Sequence, residues 1–544
     1  MNKYQKLLYA LPATALLLTA SCTDLDTMPE GGMLTAGQKS QVQSVDPGKL
    51  EADIVALSSL LTKYGAISDW AGRTNHFDFG FASTCLMLDM SGMDMRSEDT
   101  GYNWYNENLL FKDRDATGRV TYFMWNQFYT HIKSCNDILK VATKDKAEGT
   151  MKRYRGQALA NRAWDYLNLI QIYQFTYKGH EEAPGVPLVT EDMDAEQVRN
   201  NPRATVKAVY ERIMTDLNEA IELLGTDRTD KSQININVAY GLRARANLLM
   251  NNWAEAVADA EKALEGYSPY TREAVSKPSF NNANDNPSWI WASLVTEENE
   301  IVKSGILNFP SMMCSLGGNG YAPGYAARYI NNKLFAQIPE TDVRKGWWAQ
   351  GDPIMKDGKL LGYDFTQKTK SIDWEWKKEE EGKAYNIADW LGWKEPGLNI
   401  KFGPYKNIYN NPTNACDFPL MRAEEMILIK AEALAHQSKG GEAATALKVL
   451  MAERDPSWNE TTVTVDDVWF QRRIELWGEG FSFFDLMRLK KGLDRRDAGW
   501  PTSAAFNLPA ESQIFLWLIP EDEIEQNKAL TKENNNPLAP VPTA

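Results

Sequence analysis

Residues 237–267 read NVAYGLRARANLLMNNWAEAVADAEKALEGY, and the spacing of their apolar groups decides the fold. Tyr240, Ala244 and Leu248 recur at four-residue steps, and the stripe resumes at Trp253 with Ala256, Ala260, Ala263 and Leu264. Both runs carry the helical period, so the stretch predicts two helices. Asn251 and Asn252 make the short turn between them, and Pro269 lies beyond. Small residues on the second helix let the pair approach closely, with Trp253 capping the groove. One such pair cannot cover its own apolar faces, so partner helices must stack on it.

This pattern resembles a tetratricopeptide repeat, with a generic helical hairpin as the other reading. The neighbouring sequence supplies partners. Tyr122, Trp125, Phe128, Tyr129 and Ile132 form an apolar stripe over 120–142, and Leu159, Ala163, Tyr166, Leu167 and Ile170 form another over 151–173. Gly179 and Pro184-Gly185-Val186-Pro187 stop the second. A third helix follows Pro202 through Val209, Ile213, Leu217, Ile221 and Leu224 to Gly225. Further helices are predicted near 420–437, 441–453 and 466–491.

Between the helical blocks, over 268–414, Gly, Pro and Asn become frequent and short β-like runs appear, such as 288–294. Eight tryptophans fall there: Trp289, Trp291, Trp347, Trp348, Trp374, Trp376, Trp390 and Trp393. Irregular segments on a helical frame carry function, since rigid scaffolds present binding groups on loops. The predicted class is mostly α: tetratricopeptide-like helical pairs with a loop-rich, Trp-rich mixed subdomain. The divisions are 1–21, an export signal; 22–47, a tether; 48–267, repeat-like helices; 268–414, the loop-rich subdomain; and 415–544, a C-terminal helical region.

The N-terminus sets the compartment. Lys3 and Lys6 precede an apolar run from Leu7 to Leu18, interrupted by Pro12 and shorter than the ~20 residues that span a bilayer. Thr19-Ala20-Ser21-Cys22 is similar to a bacterial lipobox, although Thr19 stands where leucine is usual. Cys22 is therefore the expected lipidation site, with an ordinary secretory signal as the alternative. Residues 23–47, polar and broken by Pro29, Gly31, Gly32 and Gly37, read as a flexible leash. The remaining cysteines, Cys85, Cys135, Cys314 and Cys416, allow three pairings, but their wide spacing matches no disulfide framework, so buried free thiols are expected.

Four ordered stretches resemble the SusD/RagB family of nutrient-binding lipoproteins of the Bacteroidetes outer membrane. They are RAWDYLNL (162–169) leading to GVPLVT (185–190), MRAEEMILIKAEAL (421–434), RRIELWGEGFSFFDLMR (472–488), and LWLIP (516–520) followed by NNP (535–537). Gln471 stands where the family has Glu, and Ser482 where it commonly has Arg. The charged residues of these boxes read as structural: Arg472 with Glu475 and Asp485 with Arg488 lie one helical turn apart, and Arg422, Glu424 and Glu432 pin helices together. Asp342 and Arg344 read as a local pair.

Composition narrows the chemistry. A net charge of −14 argues against nucleic acid and other polyanions. The four histidines, His76, His131, His180 and His436, have no helical metal spacing, and no nucleophile elbow or phosphate loop is visible. No catalytic residue, metal or cofactor is predicted, and the chain is not read as an enzyme. The resemblance implies capture of oligosaccharide, or of peptide as in RagB-like relatives, and delivery to a SusC-like TonB-dependent transporter at the outer membrane, outside the cell and lipid-anchored, with a lid motion gating delivery. A helical-repeat scaffold of a surface complex without small ligand is the reading from another class.

No ligand residue follows from the motifs, so candidates come from local physics: sugars offer flat apolar faces edged by hydroxyls, which suit rigid aromatic rings beside polar groups. Two loops fit, giving Asp94, Arg96, Tyr102, Trp104 and Tyr105 from 89–108, and Asn319, Tyr321 and Tyr325 from 309–329. Trp104 with Tyr105 is the leading platform. Trp289 and Trp291 read as core, and at most one of Trp347 and Trp348 should meet ligand. Trp374 with Trp376, or Trp390 with Trp393, form a second platform or pack inward.

Overall fold

The stretch 237–267 folds as predicted, and the helices before and after it stack on it in sequence. The structure is a computed structural model that describes residues 43, 46–63, 75–356, 358–364, 377–380, 383–386 and 394–543. Met1–Lys49 and Leu50–Ala544 are separate units, and the second is described here. The export signal, Cys22, nearly all of the leash and the tryptophans 374, 376, 390 and 393 lie outside the described residues.

The helical frame begins with α1 (Glu51–Leu60) and α2 (Phe81–Ser91), the latter followed by the short strand β1 (Met95–Arg96). Two long helices come next, α3 (Arg119–Val141) and α4 (Gly149–Tyr173), then α5 (Val206–Leu223), α6 (Ile236–Met250) and α7 (Trp253–Ala263). Each packs on the next, α3 on α4, α4 on α5, α5 on α6 and α6 on α7, and α7 then packs on α9 (Ala423–His436). Asn251 takes φ 64° and ψ 25°, the left-handed conformation that asparagine tolerates, which turns α6 back into α7. The Trp253 ring lies flat on His436 of α9, with centroids 4.0 Å apart.

The middle of the chain is tied into this frame. β2 (Trp289–Ser293) pairs antiparallel with β8 (Phe418–Arg422), which feeds directly into α9. A small sheet runs in the order β1, β3 (Tyr329–Ile330), β7 (Leu398–Asn399), β4 (Trp348–Ala349), and a separate hairpin joins β5 (Asp352–Lys356) to β6 (Lys359–Asp364). Trp289 and Trp291 are core, as predicted. Trp347 and Trp348 are also both buried, so neither meets solvent: the chain is in a 3₁₀ turn at Trp347, and both rings pack into the core beside Phe280 and Trp477. Cys85, Cys135, Cys314 and Cys416 are buried free thiols.

The C-terminal block departs from its predicted boundaries in two places. The run predicted as helical from residue 420 is strand until Arg422, because β2 offers it a partner edge. The single helix predicted over 466–491 is two, α11 (Val465–Glu475) and α12 (Ser482–Arg488), with α10 (Gly440–Met451) packed on α9 before them. Gly478 and Gly480 between α11 and α12 have φ of 83° and 85°, a backbone region that favours glycine. The Trp477 indole donates to the Asp94 carbonyl at 2.9 Å there, and the Gly480 amide to the Asp89 carboxylate at 3.0 Å.

The charged boxes are buried ion networks. Glu475 does not pair with Arg472 one turn away; it accepts from Arg454 at 2.9 Å, Arg422 at 3.2 Å and Arg344 at 3.3 Å. Arg472 instead reaches Asp485 at 2.7 Å, and Asp485 also takes Arg488 at 2.8 Å, the predicted pair. Arg488 goes on to Glu432. Burial alone would raise the Glu475 and Glu432 carboxyl pKa values, but the guanidiniums around them hold both well below the usual range. Asp342 and Arg344 pair locally at 2.6 Å, as predicted, and Gln471 accepts from Arg344 at 2.5 Å, so an amide replaces the expected carboxylate without leaving the arginine unpaired.

Candidate functional site: an aromatic shelf

Three chain segments meet at the surface to build the shelf. The loop before α2 brings His76, the loop after β1 brings Tyr102 and Trp104, and the short helix α8 (Tyr321–Gly324) with the residue after it brings Tyr321 and Tyr325. Tyr102 and Tyr325 stack with centroids 4.6 Å apart and an interplanar angle of 23°. They remain 54% and 59% exposed, high values for two large rings in mutual contact, so the pair offers its outer surface to solvent.

Behind them, half-buried Trp104 stacks on His76 at 4.0 Å and meets Tyr321 edge-on at 5.9 Å. The Tyr321 hydroxyl lies 2.5 Å from His76 Nδ1. Burial lowers the His76 pKa, and the ring is pinned between Trp104 and Tyr321. An open cleft of about 610 Å³ runs along Trp104 and is edged by Asn75, Thr100, Asn106, Glu107 and Arg119. A ring wall with amide, hydroxyl, carboxylate and guanidinium groups at its rim suits a polyhydroxylated ligand.

Support for α8 comes from below. The Lys394 ammonium donates to the Ala322 carbonyl at 3.2 Å, and burial pushes its pKa down to about 7. Asn319 donates to the Gly305 carbonyl at 3.1 Å and is half-buried, so it braces the loop that leads into Tyr321.

The other sequence candidates lie inside. Tyr105 is fully buried, with its hydroxyl 2.9 Å from that of Ser83, so the Trp104–Tyr105 platform is not formed: adjacent residues leave the backbone in different directions, and only Trp104 faces out. Asp94 is buried and saturated, accepting from Arg473 at 2.6 Å and from Ser482 at 2.5 Å. Arg96 is buried beneath the Tyr329 ring and donates to Glu395 at 2.9 Å and to the Ile330, Pro396 and Gly499 carbonyls. Both are structural. The shelf therefore keeps Tyr102, Trp104, Tyr321 and Tyr325 and adds His76, a lone loop histidine with no sequence signal to mark it.

One donor set resembles a metal site: His131, Cys135 and Asp165 converge in the core. His131 already uses both ring nitrogens, Nδ1 on Asp165 at 2.8 Å and Nε2 on the Leu57 carbonyl at 3.2 Å, while burial pushes the Cys135 thiol up. A metal would need one nitrogen freed and the thiol ionised, so the group is a packed hydrogen-bonded cluster. No helix among the described residues is long and apolar enough to cross a membrane.

Comparison with known proteins follows the fold closely. Residues 67–248 match a family described as starch-binding and associating with the outer membrane, and residues 367–538 match the SusD family. Two relatives from Formosa agariphila are similar in sequence: SusD-like protein P38, 21% identical over 71% of this chain and 76% of its own length, and SusD-like protein P2, 22% identical over 70% and 73%. Among solved structures, a SusD-like carbohydrate-binding protein from Bacteroides vulgatus superposes with a TM-score of 0.69 at 22% identity, covering 90% of this chain and 98% of the other. A laminarin-binding SusD-like protein gives 0.63 at 18%, covering 90% and 99%.

Proposed function

The chain belongs to the SusD family, and on that premise we propose that it is a non-catalytic surface lipoprotein that captures oligosaccharide on the Tyr102–Tyr325 shelf. The observation that carries this reading is the exposed stacked tyrosine pair beside the Trp104 cleft. Two large rings held half in water by a braced loop form a preorganised apolar face, and the polar rim supplies partners for sugar hydroxyls. Family membership carries outer-membrane association. The finer reading adds an acyl anchor on Cys22, an outward-facing position, and delivery to a SusC-like TonB-dependent transporter.

Affinity electrophoresis across a panel of neutral polysaccharides tests capture. Retardation by at least one glycan is expected, with no shortening of that glycan after long incubation. Strong peptide binding without retardation by any glycan would turn the reading toward peptide uptake. Mass spectrometry of the mature N-terminus should find diacylglycerol on Cys22, and an unmodified cysteine would remove the anchor.

A further inference from the structure

Tyr321 and Tyr325 stand at the end of an excursion, residues 305–320, that is fixed by a segment distant in sequence. The Gly305 carbonyl gathers three side-chain amides, from Asn308 at 3.3 Å, Asn319 at 3.1 Å and Asn414 at 3.0 Å. Asn414 uses the same amide nitrogen a second time, donating to the Asn319 carbonyl at 3.1 Å, just before Tyr321. Asn414 is buried, where the loss of a hydrogen bond costs most. The backbone follows the same path. The Gly318 amide donates to the Asn411 carbonyl at 2.9 Å, and the Asn410 amide to the Leu316 carbonyl at 3.0 Å. Gly318 permits this approach, because a Cβ there would lie 2.2 Å from the Asn410 carbonyl oxygen.

We infer that Asn414 is a positioning residue of the shelf, tying 305–320 to 410–414 so that Tyr321 and Tyr325 stand beside Trp104 and Tyr102 before a glycan arrives. Being buried, it acts through the Asn319 carbonyl and the Gly305 turn. Two observations support this role. The two hydrogens of one planar amide reach two carbonyls that lie 14 residues apart in the chain, which neither a hydroxyl nor a carboxylate can do. The segment that supplies it is itself held in unusual backbone: Lys406, Asn407 and Asn410 have φ of 56°, 56° and 58°, conformations that persist where the surroundings over-determine them. Asn281 holds the other end of that segment, donating to the Pro404 carbonyl at 2.6 Å and to Asn407 Oδ1 at 2.7 Å. The inference rests on the shelf being the capture surface, and it adds what preorganises that surface, since ordering a loose loop on binding would cost affinity.

Amide hydrogen exchange of the full chain without glycan is the test, comparing the parent with Asn414→Ala and Asn281→Ala. Each variant loses a buried amide that makes two hydrogen bonds, so both should lower the melting temperature. Only Asn414→Ala should speed exchange at the Gly318, Tyr325 and Ala326 amides, roughly tenfold or more. In calorimetric titration with an oligosaccharide of a polysaccharide retained in electrophoresis, Asn414→Ala should bind about three- to tenfold more weakly, and saturation should restore slow exchange. Asn281→Ala should bind as the parent does. Where the alanine variant does not fold, Asn414→Ser, which keeps one donor, should show the same local rise in exchange. Unchanged exchange at those three amides in the Asn414 variant, or equal speeding by both variants, overturns the inference and leaves glycan capture untouched. A parent that binds no glycan sinks the capture reading instead, and the exchange comparison still decides whether Asn414 holds Tyr321 and Tyr325 in place.

Discussion

At the scale of single residues, the decisive differences are between neighbours. Tyr105 and Trp104 are adjacent, yet one is sealed in the core and the other walls the cleft. Composition cannot separate them, because the choice is made by which side of the loop meets α2. Asp89 shows what the core demands nearby. It is buried with Asp94 and Glu479 close by, and burial first, then those charges, push its pKa up to about 8, against a hydrogen bond from the Gly480 amide. An unfolded aspartate titrates near ~3.9. Between about pH 4 and pH 8 the folded carboxyl therefore holds a proton that the unfolded chain has lost, so this group's contribution is complete below about pH 4 and falls away as pH rises through about 8. Asp89→Asn, which keeps an acceptor for Gly480, should flatten that part of the stability curve; melting temperatures across this range check it, and an unchanged slope would show that Asp89 is ionised in the fold.

At the scale of elements, buried charge and backbone turn hold α11 and α12 in place. Glu475 is surrounded by three arginines out of contact with water, so Glu475→Gln leaves uncompensated guanidinium charge and should destabilise the fold by about 3–5 kcal/mol, read from denaturant unfolding. A loss below about 1 kcal/mol would mean that the network is locally hydrated. Gly480 adds a backbone constraint: a Cβ there would sit 2.8 Å from Cys85 Cβ, at a φ of 85°. Gly480→Ala should cost about 2 kcal/mol or more and should lower the melting temperature more than an alanine at Gly225, which has open space around it. Helical periodicity located α3 to α7 because their apolar stripes repeat over several turns. It misjudged 420–422 and 476–481, where a distant strand edge and two positive-φ glycines override local preference. The pairing of Arg472 was misread for the same reason: spacing along one helix says nothing about Asp485 arriving from the next, although that partner lies in the same motif.

At the scale of the whole molecule, stacked helix pairs hold three distant loops at one place. Residues 76, 102–104 and 321–325 share no local pattern, and their meeting depends on β1 pairing with β3 and on Lys394 bracing α8. That is why Tyr102, Trp104, Tyr321 and Tyr325 could be picked as aromatic loop residues, while His76, which links Trp104 to Tyr321, could not. The shelf is exposed, so Tyr102→Ala with Tyr325→Ala should leave the melting temperature unchanged while removing the outer ring surface. With each aromatic contact contributing ~0.5–1.5 kcal/mol, the double variant should bind roughly tenfold or more weakly. The most direct measurement is calorimetric titration of the parent and this variant with an oligosaccharide of the polysaccharide retained in electrophoresis. The account predicts saturable binding by the parent and a loss of that size in the folded variant; equal affinity in both would contradict it.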